Sequence, residues 1–210
     1  MVKGAIFDLD GVLVDTAKYH YLAWKELAQE LGFDFTEKDN EQLKGVSRMR
    51  SLEILLQIGK ITATQEQKQE LADRKNRRYV QMLQKLTKAD LLEGAEFCIL
   101  QLRQKGVKIA LGSASKNAPF ILEKLGIHDL FDAVVDGNMV SRAKPDPEVF
   151  LTAVRLLGLK PEECCVFEDA QAGIEAAKAA GCLAIAVDKA ESLVGADMTL
   201  HTLSQFQLVT

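Results

Sequence analysis

Short apolar runs alternate with helical patterns along most of this 210-residue chain, and this alternation limits the folds that it can adopt. The helical patterns carry apolar residues at spacings of three and four, and each of them ends in Gly. Strands that alternate with helices form a parallel sheet through right-handed crossovers, with helices on both faces. The sequence therefore predicts an α/β fold with a Rossmann-like, parallel-sheet core. The predicted strands lie in GAIFDLDG, VKIALGSAS, FDAVVDG, CCVFEDA and CLAIAVD.

One segment breaks this alternation. Between Thr16 and Leu86 the chain has no strand pattern and three helical ones, in AKYHYLAWKELAQELG, around Met49 to Ile58, and in TQEQKQELADRKNRRYVQMLQKL. An all-helical block of about 70 residues directly after the first strand is typical of an inserted subdomain. We therefore predict a core made of residues 1–15 and 87–210 and a helical domain of residues 16–86.

Charge and apolar content argue against several classes of protein. The formal net charge is −4, whereas a nucleic-acid binder needs a basic face. No apolar stretch reaches the roughly 20 residues of a membrane span, and the amino terminus lacks a signal-peptide pattern. The four cysteines lack zinc-ligand spacing and are predicted to be small apolar residues in a reducing compartment. We expect a cytoplasmic protein without nucleic-acid or membrane partners.

Two aspartates follow the first predicted strand. Asp8 and Asp10 are two residues apart, so both side chains project to the same side where the strand ends. The carboxyl ends of the strands form the ligand crevice of an open parallel sheet. Two carboxylates there repel each other unless a cation or a shared proton relieves them, and Mg²⁺ prefers oxygen ligands. The alternative is an Asp pair that only caps a strand–turn junction.

Small hydroxyl residues follow the second predicted strand. Ser113, Ala114 and Ser115 lead into a helix that is predicted to begin near Lys116 and Asn117. Free amides at the start of a helix bind anions, and a lysine adds positive charge. Simple capping of the helix is the alternative interpretation.

A lysine stands before a proline in the third segment of interest. Lys144 precedes Pro145, so its backbone is predicted to be extended just before the next helix. A lysine held in this way can reach the crevice and neutralise phosphate and carboxylates. A solvated surface lysine is the alternative.

Two further acids, Glu168 and Asp169, end the apolar run CCVFEDA. Capping of the next helix explains one of them but not both, because acids at a buried strand end need a cation or another partner. Acids or hydroxyls thus end three separate strands, with Lys144 between the last two.

In order and spacing, these four pieces resemble the motifs of the haloacid dehalogenase-like phosphotransferase superfamily. FDLDGVLVDT resembles its first motif, the serine after VKIALG its second, the lysine of KPDP its third and FEDA its fourth. The resemblance implies that the helical insertion is a cap domain, that Asp8 is a nucleophile and Asp10 an acid/base group, and that Ser113 and Lys144 balance charge. It further implies Mg²⁺ held by Asp8, Asp10, Glu168 and Asp169.

The segments DTAKYHYLAWKELA, LKGVSR, ADRKNRRYV and SASKN resemble the sugar-phosphate mutases of that superfamily. His20 and Trp24 share a helix face and by default belong to a core, and Lys75 lies on an apolar stripe from which it can snorkel. The resemblance instead implies that these residues face the substrate and that Arg48 and its neighbours grip the phosphate that is not transferred. The implied substrate-binding residues are His20, Trp24, Lys44, Gly45, Val46, Ser47, Arg48, Lys75, Asn76, Ala114, Ser115, Lys116 and Asn117.

Three functions remain open. The resemblance favours a mutase that interconverts β-D-glucose 1-phosphate and D-glucose 6-phosphate through an aspartyl-phosphate and a bisphosphorylated sugar. The alternatives are a Mg²⁺-dependent phosphatase of a sugar phosphate or another small phosphomonoester, and a non-catalytic binding protein with the same fold. We expect a monomer whose partner is a small-molecule sugar phosphate.

Overall fold

A computed structural model describes residues 2–43 and 47–208 of the chain. The chain forms two compact units, one of residues 1–15 and 86–210 and one of residues 16–85. We call them the core unit and the helical unit. The division that the sequence predicts differs from these bounds only at Leu86, which lies in the core unit.

The core unit contains a parallel sheet of six strands in the order β3-β2-β1-β4-β5-β6. The predicted α/β fold with a parallel sheet is therefore confirmed. Five strands lie where the apolar runs predict them, whereas the sixth was not predicted. The strands are β1 (Gly4–Phe7), β2 (Lys108–Gly112), β3 (Ala133–Val135), β4 (Cys164–Glu168), β5 (Leu183–Val187) and β6 (Met198–Leu200).

Within the described residues the chain has eight α-helices, four in each unit. The helical unit contains α1 (Ala17–Glu30), α2 (Glu37–Asn40), α3 (Arg48–Ile58) and α4 (Gln65–Leu83). The core unit contains α5 (Ala95–Gln104), α6 (Ala118–Lys124), α7 (Glu148–Leu157) and α8 (Gln171–Ala179). In the part of the chain that the structure describes, none of these helices is both long enough and apolar enough to span a membrane.

The first strand occupies the centre of the sheet. Phe7 pairs with Leu111 of β2 on one side and with Phe167 of β4 on the other. The strand order reverses between β1 and β4, and in open α/β sheets ligands bind outside the carboxyl ends of the strands at such a point. The residues that follow Phe7 and Phe167 are therefore placed for a ligand.

Side-chain caps fix the starts of the helices in the helical unit. Thr64 and Gln67 form a reciprocal capping box at the start of α4, and Ser47 accepts a hydrogen bond from the backbone N–H of Arg50 at the start of α3. Each such cap contributes about 1 kcal/mol to helix stability. The helices α1 and α3 both pack against α4, and α1 and α3 bury an apolar cluster that includes Leu27, Leu52 and Leu55.

The four cysteines are free and buried in the core unit, as the sequence predicts. Burial raises the pKa of the Cys98 thiol to about 12 and that of the Cys164 thiol to about 11. These thiols therefore remain protonated at neutral pH and act as small apolar groups.

Candidate active site

Lys144 joins the carboxyl ends of β1 and β4. Its Nζ donates a hydrogen bond of 2.6 Å to Oδ1 of Asp8 and a second hydrogen bond to Oε1 of Glu168. The exposed fraction of its side chain is 12%, and Asp8 and Glu168 are both buried. The predicted reach of Lys144 into the crevice is therefore seen in the structure, and the surface-lysine alternative is wrong. The Lys144–Pro145 peptide bond is cis.

Three carboxylates converge at this point. Oxygen atoms of Asp8, Glu168 and Asp169 all lie within 4.8 Å of one another. Glu168 is fixed by its own chain, because its Oε2 accepts hydrogen bonds of 3.0 Å from the backbone N–H groups of Asp169 and Ala170. A cluster of carboxylates with oxygen ligands at this spacing is suited to a hard divalent cation.

Two glycines leave room for these carboxylates. A Cβ atom on Gly173 of α8 would lie within 3.0 Å of the Glu168 carboxylate, and one on Gly11 would lie equally close to the Asp169 carboxylate. Gly11 also has a φ of 81°, which disfavours any side chain. The carboxylates therefore occupy space that a side chain at either position would need.

Burial and mutual repulsion shift the titration of the acids. Burial raises the pKa of Asp8 well above its usual range; Lys144 opposes this shift, whereas Glu168 and Asp169 increase it. Desolvation, followed by the charge of Glu168, raises the pKa of Asp169 to about 7, even though the residue lies at the surface of the unit. Burial disfavours the charged form of Lys144, but Asp8 and Glu168 outweigh it and raise the pKa of Lys144.

The net charge of this cluster therefore favours an additional cation. One ammonium faces three carboxylates, and the pKa values of Asp8 and Asp169 are raised first by burial and then by repulsion from the neighbouring acids. The site thus fits Mg²⁺ in both ligand type and charge. Asp10 contributes to the same field, since its charge also raises the pKa of Asp169.

The segment after β2 forms a tight turn. The Ser113 hydroxyl is buried and its oxygen accepts a hydrogen bond of 3.1 Å from the N–H of Ser115, whose own hydroxyl accepts one of 3.3 Å from the N–H of Asn117. Because the Ser113 oxygen acts as an acceptor, its proton can be donated to a ligand. Both hydroxyls stabilise the turn before α6, whose N-cap residue Asn117 makes no side-chain cap hydrogen bond, and Ala114 and Lys116 are exposed.

A buried lysine organises a second cluster, inside the helical unit. The exposed fraction of Lys75 is 3%. Its Nζ lies 2.7 Å from Nδ1 of His20 and 4.7 Å from the ring centroids of both Trp24 and Tyr79. Burial, with the charges of Lys75 and Arg48, holds the pKa of His20 well below its usual range. His20 is therefore neutral, and its Nδ1 accepts a hydrogen bond from the Lys75 ammonium, so the imidazole proton lies on Nε2.

The structure describes only part of the predicted phosphate-binding segment, residues 44–48. Arg48 donates a hydrogen bond of 3.0 Å to the side-chain oxygen of Asn76, so these two predicted residues contact each other. Burial lowers the pKa of Arg48 without removing its charge at neutral pH. Ser47 acts as the N-cap of α3. Lys44, Gly45 and Val46 lie outside the described residues.

Sequence reasoning missed three residues that contact these clusters. Phe150 lies beneath the Lys144 ammonium, Gly173 leaves room for Glu168, and the ring of Tyr79 stacks on His20 at a centroid distance of 4.0 Å. The four-residue spacing between Lys75 and Tyr79 was a signal that Tyr79 belongs to the same cluster, and the Lys75 ammonium does lie over its ring. The other two contacts join residues that are close in sequence, but each pair spans a junction into a helix, where neither strand nor helix periodicity applies.

Comparison with known proteins shows what this chain is similar to. The family profile described as haloacid dehalogenase-like hydrolase matches residues 2–181. The chain is 46% identical over 209 residues to β-phosphoglucomutase of Bacillus subtilis (strain 168), covering 99% of this chain and 92% of that protein. It is 32% identical over 183 residues to a phosphorylated carbohydrates phosphatase of Thermotoga maritima, covering 86% of this chain and 82% of the relative.

Solved structures agree with these sequence relatives. The crystal structure of β-phosphoglucomutase from Clostridium difficile superimposes with a TM-score of 0.91 at 40% identity, and the match covers 99% of this chain and 94% of that one.

Proposed function

We propose that this chain, which belongs to the haloacid dehalogenase-like hydrolase family, is a mutase that interconverts β-D-glucose 1-phosphate and D-glucose 6-phosphate. The observation that carries the chemistry is the contact of Lys144 with Asp8 and Glu168 beside Asp169. The choice of a mutase is supported by the near full-length similarity to the Bacillus subtilis enzyme.

Asp8 is the proposed nucleophile. A carboxylate oxygen of Asp8 attacks phosphorus, a bond forms between this oxygen and phosphorus, and the bond from phosphorus to the sugar oxygen breaks. Asp10 donates a proton to the departing sugar oxygen and later accepts one from the sugar hydroxyl that takes the phosphoryl group. Lys144 and the Ser113 hydroxyl stabilise the charge on the phosphoryl oxygens.

Asp8, Glu168, Asp169 and the main-chain carbonyl of Asp10 are the proposed ligands of Mg²⁺. The bound ion would neutralise charge on the carboxylates and on the phosphoryl oxygens. Asp8 must be ionised to attack phosphorus, and the raised pKa of this buried acid opposes ionisation. Lys144 favours the ionised form by donating a hydrogen bond to Oδ1.

The helical unit supplies the proposed contacts that a mutase needs beyond those of a phosphatase. A mutase must bind a bisphosphorylated sugar in two orientations and therefore needs a second phosphate-binding group. Arg48 carries a planar guanidinium that matches phosphate oxygens, and Asn76 orients it. His20, Trp24 and Lys75 form a cluster of one cation, one neutral imidazole and one indole that is proposed to bind the sugar. Ala114, Ser115, Lys116 and Asn117 are the proposed contacts from the core unit.

A phosphatase of a sugar phosphate is the second candidate. The similarity to the Thermotoga maritima phosphatase favours it, because both reactions share the phosphorylated aspartate and differ only in the acceptor, a sugar hydroxyl or water. We further propose that the protein acts as a monomer in the cytoplasm, without nucleic-acid partners.

One incubation separates the two candidates. The protein is mixed with Mg²⁺, β-glucose 1-phosphate and a trace of β-glucose 1,6-bisphosphate, and glucose 6-phosphate and free phosphate are followed together. The mutase predicts that glucose 6-phosphate accumulates with little free phosphate. Release of free phosphate in proportion to the substrate consumed would establish the phosphatase instead.

A further inference from the structure

A phenylalanine lies directly beneath the lysine of the candidate active site. The Nζ atom of Lys144 is 4.8 Å from the centroid of the Phe150 ring, and Phe150 is fully buried. The same ammonium donates hydrogen bonds to Asp8 and Glu168. A cation within about 6 Å of a ring centroid is attracted by the negative face of the ring, and more strongly where water is excluded.

Gly112, the last residue of β2, leaves space for the Phe150 ring. A Cβ atom on Gly112 would lie 2.9 Å from Cδ1 and 3.0 Å from Cε1 of Phe150, and 3.1 Å from Cγ2 of Ile6. The φ of Gly112 is not in the left-handed region, so the backbone conformation does not require a glycine here. Close approach of the ring to the strand is the physical reason for a glycine directly before Ser113.

The ring is held firmly relative to Lys144. Phe150 lies in the first turn of α7, which packs against β1, β2 and β3. Asp146 accepts a hydrogen bond of 3.0 Å from the N–H of Glu148 at the start of this helix, and the N–H of Phe150 donates to the carbonyl of Pro147. The segment from Lys144 to Phe150 is therefore short and fixed by its own hydrogen bonds.

We propose that Phe150 is a positioning residue for Lys144, and that Gly112 provides the space in which its ring does so. The ring face attracts the ammonium from one side while Asp8 and Glu168 attract it from the other, so that one position of Nζ is favoured. A lysine with several accessible rotamers would lose part of its transition-state interaction whenever it left that position. The inference rests on the proposed phosphoryl-transfer function.

Fluorinated phenylalanines test this proposal with little change in size. Successive fluorine atoms weaken the negative face of the ring, and they are introduced at position 150 as 4-fluoro-, 3,5-difluoro- and 3,4,5-trifluorophenylalanine. We expect kcat for glucose 6-phosphate formation to fall stepwise to about one tenth in the trifluoro protein, with KM unchanged. The matched control introduces the same three fluorinated phenylalanines at position 206. Phe206 is a buried ring that no lysine faces among the described residues, so kcat should not change along that series. An equal kcat along the series at position 150 would overturn the proposal.

A stability measurement tests the contact between Lys144 and the Phe150 ring independently of enzymatic activity. The urea midpoint of unfolding should fall along the fluorine series in the native sequence, and should be constant along it in a Lys144→Met background, because no ammonium then faces the ring. Equal trends in both backgrounds would show that the ring acts only as core packing. Absence of turnover with every sugar phosphate would refute the proposed function, but a trend that depends on Lys144 would still establish the contact.

Discussion

Replacement of Gly173 by alanine tests how the structure holds Glu168. In the native protein a Cβ atom at position 173 would lie within 3.0 Å of the Glu168 carboxylate, so the carboxylate must move. Movement removes the hydrogen bonds that Oε2 accepts from the N–H groups of Asp169 and Ala170. Hydrogen bonds to a charged group contribute about 1.5–3 kcal/mol each. The substitution therefore costs about 3–6 kcal/mol at this site.

Helix propensity acts in the opposite direction. Gly173 lies inside α8, where alanine is more favourable than glycine by about 1 kcal/mol. The net prediction for Gly173→Ala is a loss of about 2–5 kcal/mol in the free energy of unfolding. In a Glu168→Ala background the carboxylate is absent, and the same substitution should stabilise the protein by about 1 kcal/mol. The sign of the effect should therefore reverse.

The assay is urea unfolding, followed by circular dichroism in the presence of a chelator. It compares four proteins, namely the native protein, Gly173→Ala, Glu168→Ala and the double variant. A constant dependence of the unfolding free energy on urea concentration verifies that the unfolded states are comparable. The expected coupling between the two positions is about 3–6 kcal/mol. If Gly173→Ala stabilises the protein equally in both backgrounds, the described position of the Glu168 carboxylate is wrong.

Two further predictions concern the metal and the helical unit. The pKa of Asp169 is raised to about 7, so protons compete with Mg²⁺, and calorimetry should find the affinity about tenfold lower at pH 6 than at pH 8. Because folding raises this pKa, the chelated protein should lose stability as pH rises from about 4, near the usual pKa of an aspartate, to about 7; an affinity that is constant with pH would contradict both expectations. Arg48→Ala should reduce kcat/KM for the sugar phosphate at least about tenfold while acetyl phosphate still phosphorylates Asp8. Arg50→Ala, an exposed neighbour paired with Glu53, is the control, and equal losses on both substrates would assign Arg48 a structural role.

The predictable parts of the fold are those in which burial leaves a local pattern. The strands β1 and β4 are fully buried, Asp8 directly follows β1, Glu168 ends β4, and both strands were predicted. The strand β6 was missed because it has only three residues, of which Met198 and Thr199 are exposed. The helix α2 consists of four polar residues and was missed for a similar reason, since it has no apolar face.

Strand periodicity and the order of elements along the chain predict those residues of the candidate site that lie at the ends of strands. The position of Asp8 at the end of β1 follows from the pattern of the strand, and its proximity to Glu168 follows from the ends of parallel strands meeting at one edge. The contact of Phe150 with Lys144 depends on how α7 packs on the sheet, and Phe150 in the sequence is simply an apolar residue of an amphipathic helix. The space at Gly112 and Gly173 likewise exists only after folding.

The position of phosphate on the protein tests the central claim most directly. The native protein is incubated with Mg²⁺ and β-glucose 1,6-bisphosphate, quenched in acid, digested and mapped by mass spectrometry. We predict that one phosphoryl group lies on Asp8 and that Asp8→Asn, which keeps the shape of the side chain but cannot form an acyl phosphate, carries none and does not turn over. Phosphate on Ser113, or full turnover by Asp8→Asn, would contradict the account.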